Sequence, residues 1–479
     1  MNAGHMNADS VPLADALDCA ASAWLKLRAG RALEVALDDA LAQAQRDTTH
    51  PPHPRLRAAT QDLTTTAVRR LALIEAAIDH LAQRKPDAEV DALLCVALGQ
   101  LFAARYPAHT LVDQTVRAAK SRASTQAAAG FINALLRNAQ RGGTALIDEL
   151  RRHETVRWNA PAWWITRLRK SWPNDWRHIL EAAQTPAPLV LRVNTRRSSC
   201  ERMLQKLRAA GIEATRIGAV ALRLERALPV DQIPGFAEGE VSVQDAGAQL
   251  AARWLNPAPG ARVLDACAAP GGKTAHLAEQ ADVTVDAVEI DPRRAARIQD
   301  NLNRLGLSER VRVIVGDAST PEVWAGDSGG DSSGDSDGDS NGDIKTDRRY
   351  DAIVLDAPCT ASGIVRRHPD IPWLRRPTDV ALLARTQTRL LDALWPRLNP
   401  AGRLLYVVCS VFPEEGMQQI EAFLRLHTDA VLRPLPHQEP GAAALQLLPT
   451  AAHTGLTPTD DDRPSEHDGF CYALIEKRR

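Results

Sequence analysis

The spacing of apolar positions changes along the chain, and those changes lay out its organisation. Over the first third, Leu and Ala recur at helical spacing, as in Leu71, Leu73, Ile74, Ala77, Ile78 and Leu81, and again in Leu93, Leu94, Val96, Ala97, Leu98 and Leu101. One face repeating every three to four residues predicts amphipathic helices. Breaks fall at Pro51 to Pro54, near Pro86, at Pro107 and at Gly142-Gly143. Residues 12–141 therefore read as an all-helical bundle. It carries no Cys/His cluster and no glycine loop, which points to binding rather than chemistry.

The period then shortens. Residues 189–194 read as a strand, 200–210 as a helix, and 221–226 alternate as a half-buried strand does. From about residue 245 the pattern becomes strand-helix-strand, with strands expected at 261–265, 284–290, 311–316, 350–356 and 402–408. That alternation predicts a parallel sheet flanked by helices. The fold class expected is multidomain: an all-α bundle over 12–145, linker helices and a small α+β domain over 146–240, and a doubly wound α/β domain over 241–479. The run 327–343 is acidic, rich in Gly and Ser, and free of apolar side chains, so a disordered surface insert is expected there. Its repeated Asp lacks the closing Glu of an EF-hand loop, and calcium is not expected.

At 479 residues with 44% hydrophobic content, the chain is long enough for two to four cored domains. A formal charge of −1 excludes a uniformly basic nucleic-acid binder but leaves room for local basic surface. One candidate is 150–180, where Trp158, Trp163, Trp164, Trp172 and Trp176 alternate with Arg151, Arg152, Arg157, Arg167, Arg169, Lys170 and Arg177. Basic groups bind phosphates and aromatic faces stack on bases. The plainer reading is a helix pair with tryptophans inside and arginines in water. Seven scattered cysteines without metal-ligand spacing suggest free thiols in a reduced, cytoplasmic protein. Neither a secretion signal nor a membrane-length apolar run is present, so no membrane and no metal are expected.

The chemistry sits in the last domain. Cys267-Ala268-Ala269-Pro270-Gly271-Gly272-Lys273 follows a predicted strand and opens a helix. Gly272-Lys273-Thr274 resembles the end of a phosphate loop, but Cys267 stands where that motif needs glycine. The loop instead lets backbone approach a nucleotide-like ligand at a helix N-terminus. Glu289, at the end of the second strand, is placed to accept hydrogen bonds from both ribose hydroxyls, and Asp317, after the third, to touch an adenine amino group. Asp356 and Cys359 in Asp-Ala-Pro-Cys, and Cys409 in Val-Val-Cys-Ser, lie at two further strand ends. A thiolate that adds at C6 of a cytosine makes C5 nucleophilic, a carboxyl group can hold the N3 edge, and a second thiol can assist proton removal. These residues therefore fit methyl transfer to carbon 5 of a pyrimidine. Spacing alone does not order the two cysteines.

The segments VSVQDAGAQLAA (241–252), DACAAPGGKT (265–274), DNLNRLGL (300–307), DAPCTASGIVRRHPDIPW (356–373), CSVFPEEG (409–416) and DGFCYA (468–473) resemble bacterial 16S ribosomal RNA cytosine-C5 methyltransferases of the Fmu/RsmB kind, in the wider NOL/NOP/Sun family. Residues 130–137, GFINALLR, resemble the NusB-like RNA-binding domain of that subfamily. The resemblance spans essentially the whole chain and implies a Rossmann-like methyltransferase domain. It implies S-adenosylmethionine as cofactor, with Cys267 to Lys273 as its loop, Glu289 on the ribose where many relatives have Asp, and Asp317 and Asp356 beside it. It makes Cys409 the nucleophile and Cys359 the group that aids product release. It also implies 16S ribosomal RNA as partner, free or in an assembly intermediate, and a monomer is expected. The alternatives are the same chemistry on transfer RNA or DNA, or a non-catalytic RNA-binding or antitermination factor on a relict fold.

Overall fold

The computed structural model describes residues 11–47, 53, 55–325, 348–450 and 464–479. The expected insert at 327–343 lies outside them. The chain forms two compact units, one of residues up to Gln184 together with Val365–Pro377, the other of Thr185–Ile364 and Thr378–Arg479.

The first unit is helical, with long helices at Leu13–Arg28, Leu33–Asp47, Leu56–Val68, Leu71–Leu81, Ala88–Phe102, Ala108–Ser121 and Ala129–Leu150. Ala88–Phe102 runs through the middle. Its residues from Ala92 to Gln100 are all buried, as a helix apolar on every side must be. The buried Gln100 amide donates to the Leu63 carbonyl at 2.9 Å. Small residues let this helix touch its neighbour backbone to backbone: a Cβ on Gly99 would stand 2.7 Å from Ala67 Cα. Gly142-Gly143, expected to end a helix, instead kinks one. Gly143 sits at φ 49°, ψ −137° inside Ala129–Leu150, a conformation open to glycine.

The tryptophan-arginine run folds into the short helices Glu154–Trp158, Ala162–Ser171 and Trp176–Gln184. Trp158, Trp164 and Trp176 are buried. Arg157 lies over the Trp158 ring at 5.1 Å, and Arg169 and Arg177 over Trp176 at 4.5 and 4.4 Å. For these three tryptophans the plainer reading holds: all are buried, and the chain's own arginines lie over Trp158 and Trp176, on faces that a base would need.

The second unit contains two sheets. The smaller is antiparallel, β1 (Leu189–Val193), β2 (Ala214–Arg216), β3 (Ala221–Leu224) and β4 (Val241–Val243) in the order β2-β3-β1-β4. The helix Cys200–Ala209 belongs to it, its first turn capped by Ser199 Oγ accepting from the Arg202 amide at 3.2 Å. The larger sheet holds β5 (Arg262–Ala266), β6 (Thr284–Glu289), β7 (Val311–Val315), β8 (Tyr350–Asp356), β9 (Leu398–Val408), β10 (Ala430–Arg433), β11 (Leu445–Leu447) and β12 (Phe470–Lys477). Its order is β10-β12-β9-β8-β5-β6-β7, with β11 paired to β12. Strands β5 to β9 are parallel, as the strand-helix-strand alternation predicts. Strand β12 joins antiparallel to β9 and brings β10 and β11 with it. The sheet is thus mixed, and the antiparallel edge is an addition to the five strands expected. Chain order reverses at β5, between β6 and β8, where doubly wound sheets open a crevice beyond the strand ends.

Candidate active site

Every residue singled out in the last domain lies at the C-terminal edge of the parallel strands. Asp265 is in β5, Glu289 ends β6, Asp317 follows β7, Asp356 ends β8 and Cys409 follows β9. The loop after β5 turns sharply. Cys267 sits at φ 64° and Gly271 at φ 91°, and a Cβ on Gly271 would come within 3.0 Å of Ile298. Gly271 is the N-cap of the helix Gly272–Gln280.

Carboxylates surround this loop. Glu289 is buried; Oε2 accepts from the Ala269 amide at 3.2 Å, and Oε1 from the Asp291 amide at 3.1 Å and Arg294 Nη1 at 3.3 Å. Asp317 Oδ1 accepts from the amide and hydroxyl of Ser319, both at 2.8 Å. Partial burial opposes its charge, but these bonds and Arg389 hold the carboxyl below its usual range. Asp265 is fully buried and accepts from Thr274 Oγ1 at 2.5 Å. Burial, reinforced by the Asp356 charge, pushes it up to about 7. The Cys267 thiol is pushed up to about 12 by burial and then by Asp356, Glu289, Asp265 and Asp317. Burial and the four acids together keep Cys267 a thiol.

Beside the loop, Lys273 Nζ donates to Asp356 Oδ2 at 2.6 Å. Burial works against the ammonium charge, yet Asp356, the hydrogen bond to it and Cys409 together raise Lys273 above an ordinary lysine. Cys359 Sγ and Cys409 Sγ are 3.5 Å apart. Cys359 is the buried member and Cys409 the partly open one. The Cys359 thiol is raised well above its ordinary value, first by its bond to Cys409, then by burial and the charges of Cys409 and Glu415. The pair thus disfavours a thiolate on Cys359.

The structure shows what binds the two cysteine segments together. The Gly363 amide donates to the Cys409 carbonyl at 2.9 Å, and the Gly469 amide to the Gly363 carbonyl at 2.9 Å. A Cβ on Gly469 would stand 2.8 Å from Gly363 Cα, so both must be glycine for the backbones to meet. Sequence reading gave Lys273 a place in the cofactor loop but did not foresee its pairing with Asp356. It also missed Glu415 and Gly469, although both lie in segments that it quoted; only the folded chain shows that Glu415 meets Thr360 and Ser410 and that Gly469 meets Gly363. Among the described residues no His/Cys/Asp/Glu group could hold a metal, and no helix is long and apolar enough to cross a membrane.

A doubly wound sheet with a glycine turn after its first strand, acids at the next strand ends and an antiparallel edge strand defines a Rossmann-like methyltransferase. The family descriptions agree segment by segment: 16S rRNA methyltransferase RsmB/F over residues 252–476, the RsmF/B-like ferredoxin-like domain over 160–231, and the NusB family over 18–141. The chain is 40% identical over 431 residues to ribosomal RNA small subunit methyltransferase B of Klebsiella pneumoniae, covering 88% of this chain and 90% of that protein. It is 38% identical over 449 residues to the protein of the same name from Vibrio cholerae, covering 92% and 93%. The crystal structure of PH0851 superposes with a TM-score of 0.73 at 25% identity, covering 98% of this chain and 99% of that one. The chain belongs to the RsmB/F family of 16S rRNA methyltransferases.

Proposed function

We propose that this enzyme methylates carbon 5 of a cytosine in 16S ribosomal RNA through a covalent adduct between Cys409 and cytosine C6, with S-adenosylmethionine as methyl donor. The observation that carries the reading is the thiol pair at 3.5 Å, next to the Lys273–Asp356 pair, at one strand edge. S-adenosylmethionine supplies an electrophilic methyl on a sulfonium. A cation of that kind fits a loop that has Asp265, Glu289, Asp317 and Asp356 around it. We assign the loop Cys267, Ala268, Ala269, Pro270, Gly271, Gly272 and Lys273, together with Glu289, Asp317 and Asp356, to that cofactor.

Cys409, the more open thiol, is the nucleophile, and its addition to C6 moves electron density to C5. Asp356 holds the N3/N4 edge of the base, with Lys273 fixing its carboxylate. Cys359, which burial and its partner keep as a thiol, takes part in the later proton removal and release. The target base leaves its stack, since a stacked cytosine covers both faces that the thiol needs. The helical unit of residues 12–145 and the segment 146–240 hold surrounding RNA through charge and shape. We place the enzyme in the cytoplasm, acting as a monomer on free or assembling 16S RNA.

The test is a denaturing gel for protein–RNA adducts with RNA and S-adenosylmethionine present. Cys359→Ala should accumulate an adduct, and Cys409→Ala should form none and transfer no methyl. The reverse pattern would exchange the two roles. Full methylation by Cys409→Ala would end the covalent reading.

A further inference from the structure

Glu415 is fully buried in a single 3-10 turn, Pro413–Glu415, six residues after Cys409. Its Oε1 accepts from the Thr360 amide at 2.8 Å; its Oε2 accepts from Thr360 Oγ1 at 2.5 Å and from Ser410 Oγ at 2.6 Å. Thr360 and Ser410 are the residues that immediately follow Cys359 and Cys409. The Glu415 carbonyl accepts from Tyr406 OH at 2.6 Å, which fixes the turn to β9. Gln387 Nε2 donates to the Pro358 carbonyl at 3.0 Å and lies 3.5 Å from Glu415 Oε1. One carboxylate therefore binds both thiol-bearing segments, and the proline before Cys359 is held by a side chain that leans on the same carboxylate.

The direction of the network explains why a carboxylate is there. The Val411 amide donates to Ser362 Oγ at 2.9 Å, which leaves the Ser362 proton for Ser410 Oγ, 2.9 Å away. Ser410 Oγ also accepts from the Phe412 amide at 3.0 Å, so its own proton goes to Glu415. The protons run one way and must end on a group that only accepts. Burying a carboxylate costs several kcal/mol, and glutamine would be cheaper but offers an acceptor at one position only.

We propose that Glu415 is a positioning residue that sets the separation of Cys359 and Cys409 by clamping Thr360 and Ser410 onto one carboxylate. It touches neither base nor cofactor and acts through the two loops. The functional part of this inference rests on the cysteine chemistry proposed above.

Glu415→Gln tests it, since it keeps the shape and one acceptor but turns an amide N–H toward the two hydroxyls. The expected result is a fall in kcat of about 10- to 100-fold, the loss that misplacing reacting groups by about 1 Å brings, with KM for S-adenosylmethionine unchanged. The second readout is the rate at which diamide joins Cys359 to Cys409. The two thiols give up two electrons and two protons, and diamide is reduced to the hydrazine. Cross-linking should slow several-fold in Glu415→Gln, and this measurement needs neither RNA nor cofactor. Wild-type kcat in Glu415→Gln would overturn the proposal, and so would lost kcat with a wild-type cross-linking rate. Should Glu415→Gln not fold, Thr360→Val removes one hydroxyl at constant shape and should slow both rates, wild-type values again overturning the proposal. An active Cys409→Ala enzyme would end the covalent chemistry, while the cross-linking rate would still decide whether Glu415 places the thiols.

Discussion

Lys273, in the first turn of the helix after the glycine loop, meets Asp356, the last residue of β8, at 2.6 Å. The pair joins the loop assigned to the cofactor to the strand that leads into Cys359. Burial alone would push the lysine toward neutrality, and Asp356 reverses that. Replacing Lys273 by Met leaves the Asp356 carboxylate without its partner. A loss of kcat of about 100-fold or more is expected, the size seen when a preorganised charge is removed from an active site. Because the ammonium pKa is raised, the rate–pH profile of the unmodified enzyme should show no fall from Lys273 deprotonation at neutral or mildly alkaline pH. A single-turnover methylation assay across pH checks both statements.

Asp265 makes stability depend on pH in an unusual sense. Its carboxyl titrates near 7 when folded, against 3.8 for the ordinary group, so between those values the folded chain binds more protons than the unfolded one. Stability from this residue is complete at the acid side and is lost as pH rises toward 7. Asn at this position can still accept from Thr274 and carries no charge. Relative to wild type, Asp265→Asn should gain about 3 kcal/mol in unfolding free energy between pH 5 and pH 8. Denaturant titrations at the two pH values, without cofactor, measure it; an unchanged difference between the proteins would contradict the assignment.

Arg192, on β1 of the small sheet, is bolted to the helix Gly272–Gln280. It donates Nε and Nη2 to Glu279 at 3.0 and 2.8 Å, and Nη1 to Gln244 Oε1 at 2.6 Å and to the Gly272 carbonyl at 2.7 Å. Both charged side chains are fully buried. Arg192→Met strands the Glu279 charge, and a loss of about 3–5 kcal/mol is expected. Adding Glu279→Met should restore most of that stability. The double variant still lacks the donor to Gly272, so cofactor affinity should stay below wild type. Thermal melts and calorimetry with S-adenosylmethionine separate the two effects.

Arg151, Arg152, Arg157 and Arg177 are exposed around the buried tryptophans. If they contact RNA, they do so as charges. Alanine at any one that meets a phosphate should flatten the dependence of log affinity on log salt by about 0.7 to 0.9. Filter binding of 16S RNA at several salt concentrations would show it. A tryptophan substitution at Trp164 should instead act through stability, since that ring is core.

Periodicity and strand-end chemistry in the sequence already determined much of this protein. Helical spacing around Leu93–Leu101 marked the bundle, the alternation of strand and helix from about residue 245 marked the parallel sheet, and the acids and thiols stood where those strands end. These are local properties, written in side-chain order over five to fifteen residues. Other features depend on contacts between segments far apart in the chain. Spacing could not say that Trp158 and Trp176 are roofed by their own arginines, that β12 inserts beside β9 after a gap of more than sixty residues, or that Lys273 pairs with Asp356. Nor could it say that Cys359 is the thiol held protonated, since burial and a neighbour 3.5 Å away decide that. Charge states and packing partners follow from three-dimensional proximity, and only the folded chain supplies it.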